Sequence, residues 1–244
     1  MSNQKIINKE IIKSRDDLFH MLDILMEQRE SKYWNRFYSD REKEIPFFEN
    51  KADENLVSYI ENDYLKPGKT LEIGCGPGRN AIYLAKNNFI VDAIDYSNVS
   101  IEWAKERAEK AKVSIDFQCL SFFDYEVPEK TFDFIYDSGV LHHIKPHRRF
   151  DYLKKVWNLL KPNAYFSLVC FNLKGGANIS DYDVYRDYSM KGGLGFSDYK
   201  LKEVLAPFFD IIEFRQMKAE KTNLFGEEFL WTVLMKKKDL SNLA

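Results

Sequence analysis

Thr70-Leu71-Glu72-Ile73-Gly74-Cys75-Gly76-Pro77-Gly78-Arg79-Asn80 is the stretch whose reading decides the fold. A short apolar run breaks into three glycines at alternate positions, and a helical pattern (Ala81, Ile82, Leu84, Ala85) follows at once. Glycine reaches backbone angles closed to other residues and lets a ligand approach the main chain. The first N–H groups of the following helix point, unpaired, toward whatever occupies the turn. A Gly-rich strand-to-helix turn without a ligand is the plain alternative. A dinucleotide fingerprint, G-x-G-x-x-G, fits less well. The third glycine arrives one residue early, and Arg79 stands where packing on the sheet wants a small side chain. Glu72 is an unusual choice inside a parallel strand; burial would require a cationic or hydrogen-bonding partner.

The combination Glu72-x-Gly74-Cys75-Gly76-x-Gly78 resembles motif I of the class I S-adenosylmethionine-dependent methyltransferases. The elements around it fit that family. Strands are expected at 70–74, 90–95, about 114–119, 132–137 and 165–171. Between them fall helices at about 78–87, after a Ser97 or Asn98 cap with Ile101, Ala104, Ala108 and Ala111 on one face, and from Pro146 with Phe150, Leu153, Trp157 and Leu160. In the turn 161–164, Asn163 supplies the left-handed residue. After a helix near 197–206, strands at about 208–216 and 228–236 are joined too closely for a crossover helix, so they pair antiparallel. The expected architecture is α/β: a Rossmann-like class I methyltransferase fold, with a seven-stranded, mostly parallel sheet ending in a C-terminal antiparallel hairpin strand. A nicotinamide dehydrogenase normally closes its sheet with parallel strands.

Residues 1–64 form an N-terminal helical cap in this reading. Ser14-Arg15-Asp16-Asp17 reads as a capping box ahead of Leu18, Met21, Leu22 and Leu25, and the aromatic run Tyr33-Trp34-Asn35-Arg36-Phe37-Tyr38 follows. A helix at about 53–63 leads into the turn before the first strand. The cofactor-binding domain then spans 65–244. It carries an insertion at 172–196 with five glycines around Asp181-Tyr182-Asp183-Val184-Tyr185-Arg186, long enough to be a lid. The aromatics at 33–38 together with Tyr182, Tyr185 and Tyr188 are expected to close over the transferred methyl.

Composition excludes several classes. The 244 residues carry 36 Lys and Arg against 38 Asp and Glu, a net charge of −2, which gives no electrostatic footprint for nucleic acid. The short basic runs 236–238 and 147–149 read as solvated ends. No targeting signal or membrane span is visible, and three scattered cysteines make no disulfide framework, so a reducing cytoplasm is expected.

The resemblance implies S-adenosylmethionine as cofactor, bound by Glu72, Gly74, Cys75, Gly76, Gly78 and Asn80. Asp95 at the end of the second strand would accept from the ribose hydroxyls, and Tyr96 would cover the adenine. Many family members place Asp at the end of the third strand; here Ser121 and Phe122 stand there, with Asp124 as a substitute acid. Asp137 ends the fourth strand. The run from Asp137-Ser138-Gly139 through His142-His143 to Pro146-His147-Arg148-Arg149 resembles a bacterial small-molecule subgroup related to thiopurine- and tellurite-type enzymes. The Asn/Asp-Pro-Pro-aromatic motif of base-amine methylation is absent. His142, as a general base, and Tyr185 are the candidate catalytic side chains. No metal is expected; His143 and His147 have helical spacing, but Pro146 intervenes. The resulting expectation is methyl transfer to a small-molecule acceptor. A non-catalytic cofactor-binding regulator is the first alternative and a nicotinamide oxidoreductase the second.

Overall fold

The computed structural model describes residues 11–26, 31–219 and 223–240. Three helices come first: α1 (Arg15–Leu25), α2 (Ser31–Ser39) and α3 (Glu54–Glu61). The alternating body follows as β1 (Lys69–Ile73), α4 (Arg79–Lys86), β2 (Ile90–Asp95), α5 (Asn98–Ala111), β3 (Asp116–Cys119), β4 (Phe132–Ser138), α6 (Pro146–Leu159) and β5 (Leu160–Phe171). It ends with α7 (Asp181–Arg186), α8 (Asp198–Leu205), β6 (Phe209–Gln216) and β7 (Leu230–Lys237). The seven strands form one sheet in the order β3-β2-β1-β4-β5-β7-β6. Strands β3 through β5 are parallel, while β7 runs antiparallel to both β5 and β6. This is the Rossmann-like methyltransferase architecture expected from the strand pattern.

Alternation along each strand splits the core into two layers. Leu71, Ile73, Phe166 and Leu168 face α6 and α8, meeting Leu153, Val156, Leu201 and Leu205. Val91, Ala93, Phe134 and Tyr136 face the other way, against Leu56 and Tyr59 of α3, Leu84 of α4 and Ile101 of α5. Helix α3 is therefore built into the sheet's second layer, and an isolated bridge from Asp53 to Phe225 ties its start to the β6–β7 connection. Ser97 caps α5 by accepting the Ser100 N–H, Pro146 opens α6, and Asn163 has φ +62°.

Several local expectations change. Ser14 does cap α1, but the Asp17 carboxylate takes the N–H of Lys13, so the reciprocal half of a capping box is missing. Phe150 is 55 % exposed; the buried face of α6 is Arg149, Tyr152, Leu153, Val156 and Leu159, and Leu160 already belongs to β5. Neither basic run is a solvated end. Lys237 is buried and donates to the Leu160 carbonyl at 2.7 Å. Residues 147–149 dock the outer helices onto α6. His147, Arg148 and Lys145 converge on Asp23 of α1, while Arg149 holds Asp181 of α7 at 2.8 Å. Among the described residues, no helix is long and apolar enough to cross a membrane, and the cysteines are free.

The turn leaving β4 depends on one carboxylate. Asp137 is fully buried and accepts from the Val140 and Leu141 N–H groups at 2.7 and 3.0 Å and from the Tyr152 hydroxyl at 2.7 Å. Burial pushes its pKa up to about 6 against the pull of these bonds. Truncation strands three buried donors, each costing roughly 1 kcal/mol or more. Asp137→Ala should therefore lose about 3 kcal/mol of stability in urea unfolding; a loss under about 1 kcal/mol would show that the turn holds without it.

Candidate functional site

Each of the three alternate glycines takes a left-handed conformation, with φ +66° at Gly74, +52° at Gly76 and +80° at Gly78. A Cβ on Gly74 would lie 2.1 Å from Val140 Cγ2, so the turn leaving β1 and the turn leaving β4 are pressed together. Gly78 plays a different part from the one expected. A Cβ there would meet Ala104 of α5 at 3.0 Å, and the residue packs helix on helix away from the cavity.

The carboxyl ends of the strands open into a cavity of about 550 Å³, within the size range of small-molecule sites. Glu72, Gly74, Cys75, Gly76 and Asn80 line it, as do Asp95, Tyr96, Ser121 and Phe122. Asp95 is 8 % exposed. Its two oxygens accept the Gly76 and Ser97 N–H groups, both at 2.8 Å, so the end of β2 is tied to the glycine turn. Burial raises its pKa, and those two N–H groups oppose the shift. The serine at the third strand end accepts the Phe123 N–H at 3.2 Å and starts a short 3-10 turn, Phe122–Asp124. Asp124 itself stays exposed outside the cavity and does not replace the missing acid.

Glu72 is 1 % exposed, and its Oε2 has no hydrogen-bond partner. Arg79, a cation near enough to act on it, is committed elsewhere. Its guanidinium pairs with Asp53, donates to the Lys51 carbonyl at 3.0 Å and lies over the Phe225 ring. Burial consequently pushes the Glu72 pKa up to about 8, with Arg79 pulling it down and Asp53 pushing it up. Asp53, which supports the cavity wall without lining it, is the residue that sequence reading missed. Fully buried, it also takes bonds from Asn80 at 3.1 Å, Tyr136 at 2.6 Å and Ser138 at 2.6 Å. Only its place at the start of a helix, as Ala52-Asp53-Glu54, marked it in the sequence.

Besides Gly78, three expected site residues lie elsewhere or are oriented otherwise. Asp137 does not line the cavity; its oxygens are taken by the turn after β4. Tyr185 is turned away, its hydroxyl 2.7 Å from His147 Nδ1 and accepting the His147 N–H at 2.8 Å. His142 does line the cavity, but its Nδ1 accepts the Phe171 N–H at 3.2 Å. That bond leaves the neutral ring protonated at Nε2, a donor and not the expected general base. The aromatics expected to form a lid divide in two. Tyr33, Trp34, Phe37 and Tyr38 of α2 all border the cavity, whereas Tyr182 is 90 % exposed and Tyr188 53 %. Of the 172–196 insertion, Gly192 alone reaches the lining. Among the described residues, no group of His, Cys, Asp and Glu is arranged to hold a metal.

Residues 70–163 match the family model of a methyltransferase domain. The chain is 32% identical over 121 residues to the ubiquinone biosynthesis O-methyltransferase of Coxiella burnetii, covering 48% of this chain and 51% of that protein. It is 33% identical over 166 residues to the cyclopropane-fatty-acyl-phospholipid synthase of Escherichia coli, covering 67% and 40%. The chain thus spans about half the length of the first of these relatives, and less of the second. Among solved structures, the Burkholderia thailandensis 1,6-didemethyltoxoflavin-N1-methyltransferase superposes with a TM-score of 0.66 at 19% identity, covering 95% of this chain and 94% of that one. TehB from Haemophilus influenzae gives 0.58 at 20% identity, covering 75% and 62%. At these identities the structural likeness speaks for the fold.

The buried Glu72 has a pH signature. Its folded pKa lies above the ordinary carboxyl value of 4.5, so between about 4.5 and 8 the folded chain keeps a proton that the unfolded chain releases. Stability falls as pH rises through that window and levels above it. Glu72→Gln removes this dependence. The unfolding free energy of the variant relative to the parent, from urea titrations, should climb from pH 5 to 8 by on the order of a few kcal/mol and then stay constant. A difference independent of pH would mean that Glu72 is ionised throughout.

Proposed function

We propose, on the premise that the chain carries a class I S-adenosylmethionine-dependent methyltransferase domain over residues 70–163, that it transfers a methyl group from S-adenosylmethionine to a small-molecule acceptor. The observation that carries this reading is the orphaned Oε2 of Glu72, buried at the rim of a glycine turn that shares one cavity with Asp95. A buried carboxylate oxygen without a partner fits a ligand that brings a cationic donor, as the amino-acid end of this cofactor does.

Glu72 would hold the ammonium group, and the Gly74–Gly76 backbone would pass close beneath the cofactor. Asp95, already fixed by two N–H groups, keeps further acceptor capacity on both oxygens for the ribose hydroxyls. Tyr96, Ser121 and Phe122 would border the adenine. When bound, S-adenosylmethionine supplies a methyl group on a sulfonium that is already a good leaving group. The chain's own part is then to bind, orient and exclude water. Trp34, Phe37 and Tyr38 of α2, with Phe171 from β5, would keep water from the reacting centre. His142 would orient through its donor nitrogen and is not needed as a base.

The cavity continues past the glycine turn to the ends of β4, β5 and β7, where Val140, Phe171 and Leu230 line it. That leaves room for an acceptor and favours catalysis over a purely regulatory binder. The antiparallel β7 counts against a nicotinamide enzyme. A net charge of −2 fits a small substrate better than nucleic acid, and three free cysteines fit a reducing cytoplasm. Release of S-adenosylhomocysteine in the presence of a metabolite library tests the activity directly; turnover with no library member would leave a binding protein.

Asp95 gives the sharper test of the site. Losing a charge-assisted hydrogen bond costs about 1.5–3 kcal/mol, so Asp95→Ala should weaken S-adenosylmethionine binding at least tenfold by calorimetry. Unchanged affinity would remove Asp95 from the site.

A further inference from the structure

The cavity has two chemically different halves. Over β1, β2 and β3 it is polar, with Glu72, Asp95 and Ser121. Over β4, β5 and β7 it is walled by rings. His142 stacks on Phe171 with centroids 3.8 Å apart, Trp34 stands edge-on to His143 at 5.1 Å, and Phe229 lies 6.2 Å from Phe171. One charged side chain borders this second half: Glu227, on the β6–β7 connection between Phe225 and Phe229. It is half-buried, and among the described residues no hydrogen bond or ion pair engages its carboxylate. Arg79 is the one Lys or Arg in the described lining, and Asp53 and the Lys51 carbonyl already hold it. No Lys or Arg in this half can neutralise an acid group on a ligand; the imidazoles of His142 and His143 are the ring donors it offers.

Aromatic faces and an unengaged carboxylate attract the same kind of ligand. The faces carry negative quadrupole potential, the carboxylate carries full charge, and both favour a cation with an apolar body. An anionic ligand would meet repulsion from Glu227, with no Lys or Arg of this half to offset its desolvation. We infer that the acceptor is a small organic cation, an amine with an aromatic or apolar body and no acidic group, whose ammonium is held by Glu227 while its body lies against Phe171, Phe229 and Trp34, the ammonium serving as the binding handle because a protonated nitrogen has no lone pair with which to take the methyl. This rests on the methyltransferase reading and names the substrate class for it. Glu227 acts here as a specificity residue. It lies on the connection whose Phe229 carbonyl accepts the Asn172 N–H at 3.0 Å just beyond β5.

The test uses the full chain saturated with S-adenosylhomocysteine. Dissociation constants are measured by ligand-observed NMR for matched sets: phenethylamine, 2-phenylethanol and 3-phenylpropionate, and tryptamine with its alcohol and acid counterparts. The amines should bind at least tenfold more tightly than the alcohols, and the acids should not bind measurably. Glu227→Gln should bring the amines down to the level of the alcohols, and Glu227→Lys should turn the preference toward the acids. Both variants should bind S-adenosylhomocysteine like the parent, which also reports that they fold. The inference is overturned if the acids match the amines, if no amine binds, or if the amine preference survives Glu227→Gln. It is equally overturned if Glu227→Gln weakens S-adenosylhomocysteine and leaves the amine-to-alcohol ratio alone, because the carboxylate then serves the cofactor. Failure of the parent to bind S-adenosylhomocysteine in calorimetry is a separate result; it removes the methyltransferase reading and this inference with it.

Discussion

Asp53 and Arg79 form a buried ion pair at the point where three parts of the chain meet. Asp53 stands just before α3, Arg79 is the first residue of α4, and the hydroxyls of Tyr136 and Ser138 reach the same carboxylate from β4. Two charges removed from water cost several kcal/mol each unless attraction and further hydrogen bonds compensate. Here every oxygen of Asp53 is engaged, and Arg79 is shared between a carboxylate, a carbonyl and an aromatic face. A hub of this kind adds little net stability compared with apolar packing, but it fixes geometry, because any misplacement leaves a charge unpaired. The glycine turn between β1 and α4 inherits that geometry. Since Arg79 is spent on Asp53, the hub also explains why Oε2 of a mid-strand glutamate remains without a hydrogen-bond partner.

The succession of strands and helices and the glycine turn were legible because they are local. Strand spacing, the Ser97 cap, Pro146 and Asn163 each act on their own few residues. Contacts over long sequence separation were not legible. The Asp53 hub joins residues 26 to 85 positions apart, and nothing around Ala52-Asp53-Glu54 signals it. Asp137 was misjudged for the related reason that an acid at a strand end can face a ligand or its own turn, and the choice was made by Tyr152, fifteen residues on. The basic run 147–149 looked like a solvated end because its acidic partners, Asp23 and Asp181, come from the cap and from the insertion. Phe150 was placed in the core on helical spacing; the true buried stripe is rotated by one residue, to Arg149 and Tyr152.

Those same ion pairs govern how the cavity is covered. Burial pushes the Asp23 pKa up, but hydrogen bonds from His147 and Arg148 outweigh it and hold the carboxyl below the usual range. Asp181 is likewise lowered, with burial opposed by Arg149 and Lys200. Helix α6 thereby presents one strip of cations that docks α1 on one side and α7 on the other. Helix α1 buries none of its own residues, so its attachment to α6 depends heavily on Asp23. The aromatic helix α2 follows α1 in the chain and is anchored separately, by the bond from Ser97 to Asn35 at 2.7 Å and by Tyr38 against Gly76. The two ends of the 172–196 insertion are closed by bridges from Asn172 to Phe196 and from Ala177 to Leu194. Its tyrosines are consequently held on the outside, and the covering of the cavity falls to α2. Helix α2 thus touches the glycine turn through Tyr38 and the ring-walled half of the cavity through Trp34, so both sides of the cavity bear on a single element.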